Sequence, residues 1–189
     1  MIRIGILGNI GSGKSYVAKK FGYPVFNADY EVSKLYKKDK KIFKKLKKKL
    51  PKYISSFPIN KNEITKAILS NKVNLKKIIT IIHLEIRKIL KLFLKKNRDK
   101  KVIILDIPLL LENKINNKDD ILVFVDSKKV EIEKRLKKRL NFNRKLINKF
   151  KKIQFSSSYK KRRSNFIIKN NFKKKSLNKS IKKILNEIL

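Results

Sequence analysis

Residues 8 to 15, GNIGSGKS, fit the pattern G-x-x-x-x-G-K-[ST], with Gly8, Gly13, Lys14 and Ser15 in the fixed places. A loop that wraps a polyphosphate must turn its backbone N–H groups inward, and Gly8, Gly11 and Gly13 permit the backbone conformations and close approach this needs. Ser12 completes the cradle. Lys14 would place a point charge on the β and γ phosphates, Ser15 would offer its hydroxyl to Mg²⁺, and the positive end of a following helix would add to the attraction. The expected ligand is a nucleoside triphosphate. Three of the five glycines in the chain fall inside these eight residues, which sets the stretch apart from a chance turn.

Other side chains carry chemistry at positions that the strand pattern picks out. Asp29 follows the apolar run YPVFN, at the carboxyl end of an expected strand, where open α/β sheets bind ligands. There it reads either as a base that takes a proton from an acceptor hydroxyl or as the N-cap of the helix beginning EVSKLY. Asp106 closes the buried run KVIILD and resembles the acid that completes a Mg²⁺ shell. Pro108 and Leu109 follow it, then Glu112. Asp126 ends the run from Ile121 and reads as a cap or turn residue, with Ser127 as an N-cap for a helix from about Lys128. Arg135 and Arg139 lie four apart, on one face if the helix continues, and Arg144 lies beyond. In a chain that otherwise uses lysine, arginine brings a planar fork suited to phosphoryl oxygens, although a solvated basic face is the alternative. His83 is the only histidine and sits within a helical pattern, where a structural role competes with a substrate-side one.

These residues need elements to hold them. A strand from Ile2 to Leu7 precedes the glycine loop and a helix from Lys14 to about Phe21 follows it, which is the context the loop motif requires. Residues 30 to 97 read as an all-helical insertion: one or two helices between Leu35 and Leu50, ended by Pro51, then helices from about Glu63 to Leu69 and Leu75 to Lys96. In the last of these, Ile78, Ile79, Ile82, Ile86, Ile89, Leu90 and Phe93 recur at helical spacing. Strands at Lys101 to Asp106 and Ile121 to Val125 follow, then helices near Lys128 and from Lys145 to Ser156. A short strand at Phe166 to Lys169 leads to a final amphipathic helix, with Asn170 on the loop side of the sheet beside the adenine.

At 189 residues, the chain is long enough for one α/β domain with helical insertions. The absence of cysteine excludes disulfides, thiolate metal sites and thiol nucleophiles. Apolar runs such as Ile107 to Leu111 are too short to span a bilayer and the chain opens on a strand, so a cytoplasmic protein without a membrane partner is expected. The formal charge of +39 points towards nucleic acid, but lysines fill nearly every polar position and Ile, Asn and Phe are abundant too. All four have A/T-rich codons. The excess is therefore read as compositional, with no specific nucleic-acid surface.

Together these motifs resemble the dephospho-CoA kinase family along nearly the whole chain: the loop at 8 to 15, Ala28-Asp29, His83 to Ile86, Pro108 to Glu112, Arg135 to Arg139, Gln154, and IIxN at 167 to 170. The resemblance implies a P-loop three-layer α/β/α fold with a five-stranded parallel sheet, a helical substrate-binding insertion and a small helical lid. It divides the chain into a nucleotide-binding core (1–29, 98–139 and 160–189), an acceptor insertion (30–97) and a lid (140–159). It implies transfer of the ATP γ-phosphoryl group to the 3′-hydroxyl of dephospho-CoA, with Mg²⁺, by a monomer. Carried onto matching positions, Lys14, Asp29 and Arg139 are catalytic. Gly8, Gly11, Ser12, Gly13, Lys14, Ser15, Tyr16, Arg135 and Asn170 bind nucleotide. Asp29, His83, Pro108 and Leu109 bind the acceptor, and Ser15 and Asp106 serve the metal. The chain departs from the family at Asn27, where an acid is usual, and at Asn9, Tyr16, Leu84, Ser164 and Asn165. Two other readings are a P-loop kinase of another small acceptor and a basic, nucleic-acid-stimulated ATPase, for which no recognition motif is present.

Overall fold

The computed structural model describes residues 1–139 and 142–189. Leu140 and Asn141, the first two residues of the expected lid, lie outside the described residues.

Strand β1 (Ile2–Gly8) is the middle of a five-stranded parallel sheet. It pairs on one side with β3 (Val102–Asp106), which pairs with β2 (Val25–Asn27), and on the other with β4 (Ile121–Asp126), which pairs with β5 (Phe166–Lys169). The order is β2-β3-β1-β4-β5. A parallel sheet covered on both faces needs apolar side chains at successive positions, which is why VIILD is buried at every residue. On one face Ile4, Ile6, Val102, Ile104, Val123, Val125 and Ile168 meet helix α1 (Lys14–Lys20), through Val17 and Ala18, and the last helix, through Leu177, Ile181 and Ile184. On the other face Gly5 leaves the volume that Leu110 and Leu122 occupy: a Cβ there would stand 2.7 Å from one and 2.9 Å from the other.

The remaining helices are α2 (Ala28–Lys38), α3 (Lys40–Lys49), α4 (Lys61–Ser70), α5 (Lys72–Lys96), α6 (Lys129–Lys137), α7 (Arg144–Ile153), α8 (Ser157–Arg162) and α9 (Lys174–Ile188). The chain divides into two compact units. One comprises Met1–Asn27, Asn97–Asn143 and Lys151–Leu189, and holds the sheet; the other comprises Ala28–Lys96 and Arg144–Phe150. In the helical unit, Asp39 caps α3 by accepting from the backbone N–H groups of Lys41 and Ile42 at 2.8 and 2.9 Å, and Asn60 caps α4. Helix α5 buries Leu75, Ile78, Ile82, Ile86 and Leu90, while Ile79, Ile89 and Phe93 of the stripe read from the sequence are only partly buried. Lys149 donates to the carbonyls of Ile68 and Leu69 at 2.7 and 2.9 Å, so a cation from α7 satisfies the open carboxyl end of α4.

Three local expectations are corrected. Helix α2 begins at Ala28, so Asp29 is its second residue and no N-cap. Helix α6 ends at Lys137, which leaves Arg139 in the turn beyond it, off the helical face of Arg135. The N-cap position of α6 falls on Lys128 and not on the expected Ser127.

Ile104 is fully buried between β1 and β2, so Ile104→Ala should lower unfolding stability by about 2–5 kcal/mol. Urea denaturation followed by circular dichroism measures it, and a change under 1 kcal/mol would contradict the packing described.

Candidate nucleotide and phosphoryl-transfer site

The glycine loop leaves the carboxyl end of β1 and enters α1 at Lys14. The switch in winding direction lies here, with β3 on one side of β1 and β4 on the other, the place where open α/β sheets bind ligands. Gly8, Gly11 and Gly13 have φ of 150°, 88° and 90°. At Gly13 the conformation is left-handed, and a Cβ would come within 2.6 Å of Asn170 Nδ2 and 3.1 Å of the Phe172 ring. At Gly8 a Cβ would stand 2.6 Å from Ser12 Oγ. The loop is therefore a close-packed backbone structure that side chains would break. Lys14 Nζ donates to the carbonyls of Gly8 and Asn9 at 3.1 and 3.0 Å, which holds the ammonium along its own loop. Ser15 and Tyr16 are exposed in the first turn of α1.

Asp106 ends β3 and is buried. The β2–β3 register sets Asn27 directly beside it, and Asn27 Nδ2 donates to Asp106 Oδ2 at 2.6 Å. An amide at position 27 satisfies the carboxylate without a proton or a cation between them. A second acid there would place two carboxylates in contact, whereas the amide meets Asp106 as a donor.

Beyond β3 the backbone turns through Pro108 and Leu109, and Leu109 has φ 58°, uncommon for a branched residue. Leu109 lines a small recess with Gly8, Lys14, Glu112, Gln154 and Lys160. Two of these residues form a buried ion pair: Lys160 Nζ lies 3.2 Å from Glu112 Oε1, which also accepts from the Phe155 N–H at 2.8 Å. Ser157 donates to Asn9 Oδ1 at 3.0 Å, and Lys161 pairs with Asp126 at 2.8 Å. Thus α8 is tied to the loop tip, to the turn after β3 and to the end of β4. Neither Lys160 nor Ser157 stands out in the sequence; one lysine among so many carries no signal, whereas the acid of PLLxE was visible.

Arg135 lies over the Phe172 ring, 4.2 Å from its centroid, and Asn170 is buried against the loop. The loop, Tyr16, Asp106, Pro108, Leu109, Arg135, Arg139 and Asn170 all belong to the sheet unit, with Arg135 and Arg139 exposed. Asp29 and His83 belong to the helical unit. Asp29 is exposed in the first turn of α2, directly after β2 in the chain. His83 is half-buried on α5; burial first, and the positive charge of Arg87 second, lower its pKa below the ordinary 6.5. It is neutral at physiological pH, a hydrogen-bonding ring and not a fixed cation.

Residues 2–176 match the profile of the dephospho-CoA kinase family. The chain belongs to the dephospho-CoA kinase family. It is accordingly an ATP-dependent kinase of dephospho-CoA, catalysing the last step of coenzyme A biosynthesis. A family relative, the dephospho-CoA kinase of Wolbachia pipientis wMel, is 33% identical over 190 residues, covering 98% of this chain and 97% of its own. Among solved structures, TT1252 from Thermus thermophilus superposes with a TM-score of 0.81 at 26% identity, covering 100% of this chain and 98% of that one. Dephospho-CoA kinase from Campylobacter jejuni shares the fold with a TM-score of 0.64 at 20% identity, covering 98% and 96%.

Two measurements follow. Gly13→Ala forces a side chain into a left-handed position already filled by Asn170, so ATP affinity should fall about tenfold or more, as read by calorimetry. The proton NMR titration of His83, unambiguous because the chain has one histidine, should have a midpoint below 6.5 that returns to about 6.5 in urea. Between those two values the unfolded chain binds a proton that the folded one does not. This stabilisation is therefore present above about pH 6.5 and is lost as pH falls through the folded pKa.

Proposed function

We propose that the transfer is carried by Lys14, Asp29 and Arg139 around a nucleotide held by the glycine loop. The observation that carries the reading is the loop itself: three positive-φ glycines, a lysine at the start of α1 and the helix amino end, at the carboxyl edge of the central strand. A glycine loop with a helix amino end behind it suits the phosphates of a nucleotide.

The ribose 3′-hydroxyl oxygen attacks the γ-phosphorus, the bond from that phosphorus to the β–γ bridging oxygen breaks, and ADP leaves. Asp29 orients the hydroxyl and accepts its proton. Its support is its place two residues past the end of β2, exposed in the first turn of α2. Lys14 neutralises charge on the β and γ oxygens, and Arg139 does so on the transferring group; the turn beyond α6 leaves its guanidinium exposed and able to engage an anion. Arg135 and Tyr16 serve the nucleoside end, with the Arg135–Phe172 stack as the support for Arg135, and Asn170 serves the nucleotide through the loop it holds.

Mg²⁺ fits the donor set: the Ser15 hydroxyl and the Asp106 carboxylate are hard oxygen ligands, and no cluster of three His, Cys, Asp or Glu residues is found among the described residues. Magnesium bound through one or two protein oxygens and the substrate phosphates needs no such cluster. When bound it would offset charge on the phosphate oxygens.

For the acceptor we assign Asp29, His83, Pro108 and Leu109, with residues 30–97 as its platform and 140–159 as the lid. No residue of α7 is buried, in keeping with a segment that closes over substrate. The reading places the enzyme in the cytoplasm as a monomer, with no specific nucleic-acid partner. Among the described residues no helix is long and apolar enough to cross a membrane.

A coupled ADP-release assay with dephospho-CoA tests the assignments. Asp29→Asn should lower kcat by about 10²-fold or more while leaving the ATP dissociation constant within about twofold. Unchanged turnover would remove Asp29 from the chemistry.

A further inference from the structure

The Ser12 carbonyl accepts two hydrogen bonds from outside its loop. Ser127 Oγ donates to it at 2.9 Å, and Asn170 Nδ2 donates at 2.9 Å in a buried contact. The donors arrive from the carboxyl ends of β4 and β5, the two strands that succeed β1 on that side of the sheet. Each is itself fixed. Asn170 donates its backbone N–H to the Asp126 carbonyl at 2.7 Å, and its Oδ1 accepts from the Phe172 N–H at 3.0 Å, which leaves the amide nitrogen facing Ser12. Ser127 is released from the capping role its position suggests, because the N-cap of α6 is Lys128 and makes no side-chain cap bond.

A peptide unit is planar and trans, so its C=O and N–H point in opposite directions. Holding the Ser12 carbonyl towards β4 and β5 turns the Gly13 N–H the other way, towards the hollow of the loop. Gly13, at φ 90° and ψ 20°, takes the left-handed conformation that this peptide orientation requires. Without external donors, a glycine-flanked peptide can flip at little steric cost.

We propose that Ser127, together with Asn170, is a positioning residue: the two pin the Ser12–Gly13 peptide so that the Gly13 N–H is preorganised to donate to a nucleotide phosphate. The inference rests on the reading of this loop as the phosphate site. Binding then incurs no cost for turning the peptide, and the benefit falls on phosphate-bearing ligands alone.

The test compares ADP and adenosine binding by calorimetry, with steady-state kinetics, for wild type, Ser127→Ala and Ser127→Thr. Ser127→Ala should weaken ADP binding about threefold to tenfold and raise the KM for ATP in proportion, with the adenosine affinity and the KM for dephospho-CoA unchanged. Ser127→Thr, which keeps the hydroxyl, should bind ADP within twofold of wild type. Unaltered ADP affinity in Ser127→Ala, an equal loss for adenosine, or an equal loss in Ser127→Thr would overturn the proposal. A wild type that binds ADP no better than adenosine would instead overturn the phosphate reading of the loop.

Discussion

Much of this molecule serves a glycine-rich stretch of backbone whose own side chains, Lys14 apart, give it little support. Such a loop cannot be stiff by itself, since the glycines that allow its shape also allow other shapes. Its rigidity comes from what surrounds it. Below it, β1 is the central strand of a sheet covered on both faces, with Ile4 and Ile6 fully buried. Beyond it, α1 is set by Val17 and Ala18 against the same core. Around it, Asn170, Ser127 and Ser157 meet its backbone and side-chain oxygens.

The strand ends divide the work by their place in the sheet. On the β3 side they offer Asp106, a buried carboxylate held by Asn27. On the β4 and β5 side they offer Ser127 and Asn170, neutral donors that hold the loop's shape. The Asn27–Asp106 contact shows what an amide does at this point of the sheet. The register that aligns β2 with β3 would bring any residue at 27 to the same carboxylate, and an amide meets it as a donor.

Charge behaves differently at the surface and inside. With 53 basic residues against 14 acidic ones, most lysines are solvated and interchangeable. A few are not. Lys160 is buried against Glu112, Lys161 is paired with Asp126, and Lys149 closes the end of α4. Breaking a buried pair such as Lys160–Glu112 would leave an uncompensated charge, a far larger cost than the loss of any exposed pair. Composition hides these positions, because the residue type is the same throughout.

The local pattern determined much of this protein. The loop motif, the apolar run of β3, the α5 stripe from Leu75 to Leu90 and the spacing of the family motifs follow from residue type and period, because strands and helices bury side chains at fixed intervals. What it left open were partnerships across the sheet. Asp29 reads equally as a cap or a base until α2 is seen to begin at Ala28, and Arg135 and Arg139 share a face only if α6 continues, which it does not. Ser127 has a capping position and another use, while Lys160 looks like every other lysine. Tertiary structure decided these points because β2, β3, β4 and β5 come from distant parts of the chain. Only their parallel pairing sets residues 27 and 106, or 12, 127 and 170, within hydrogen-bonding distance.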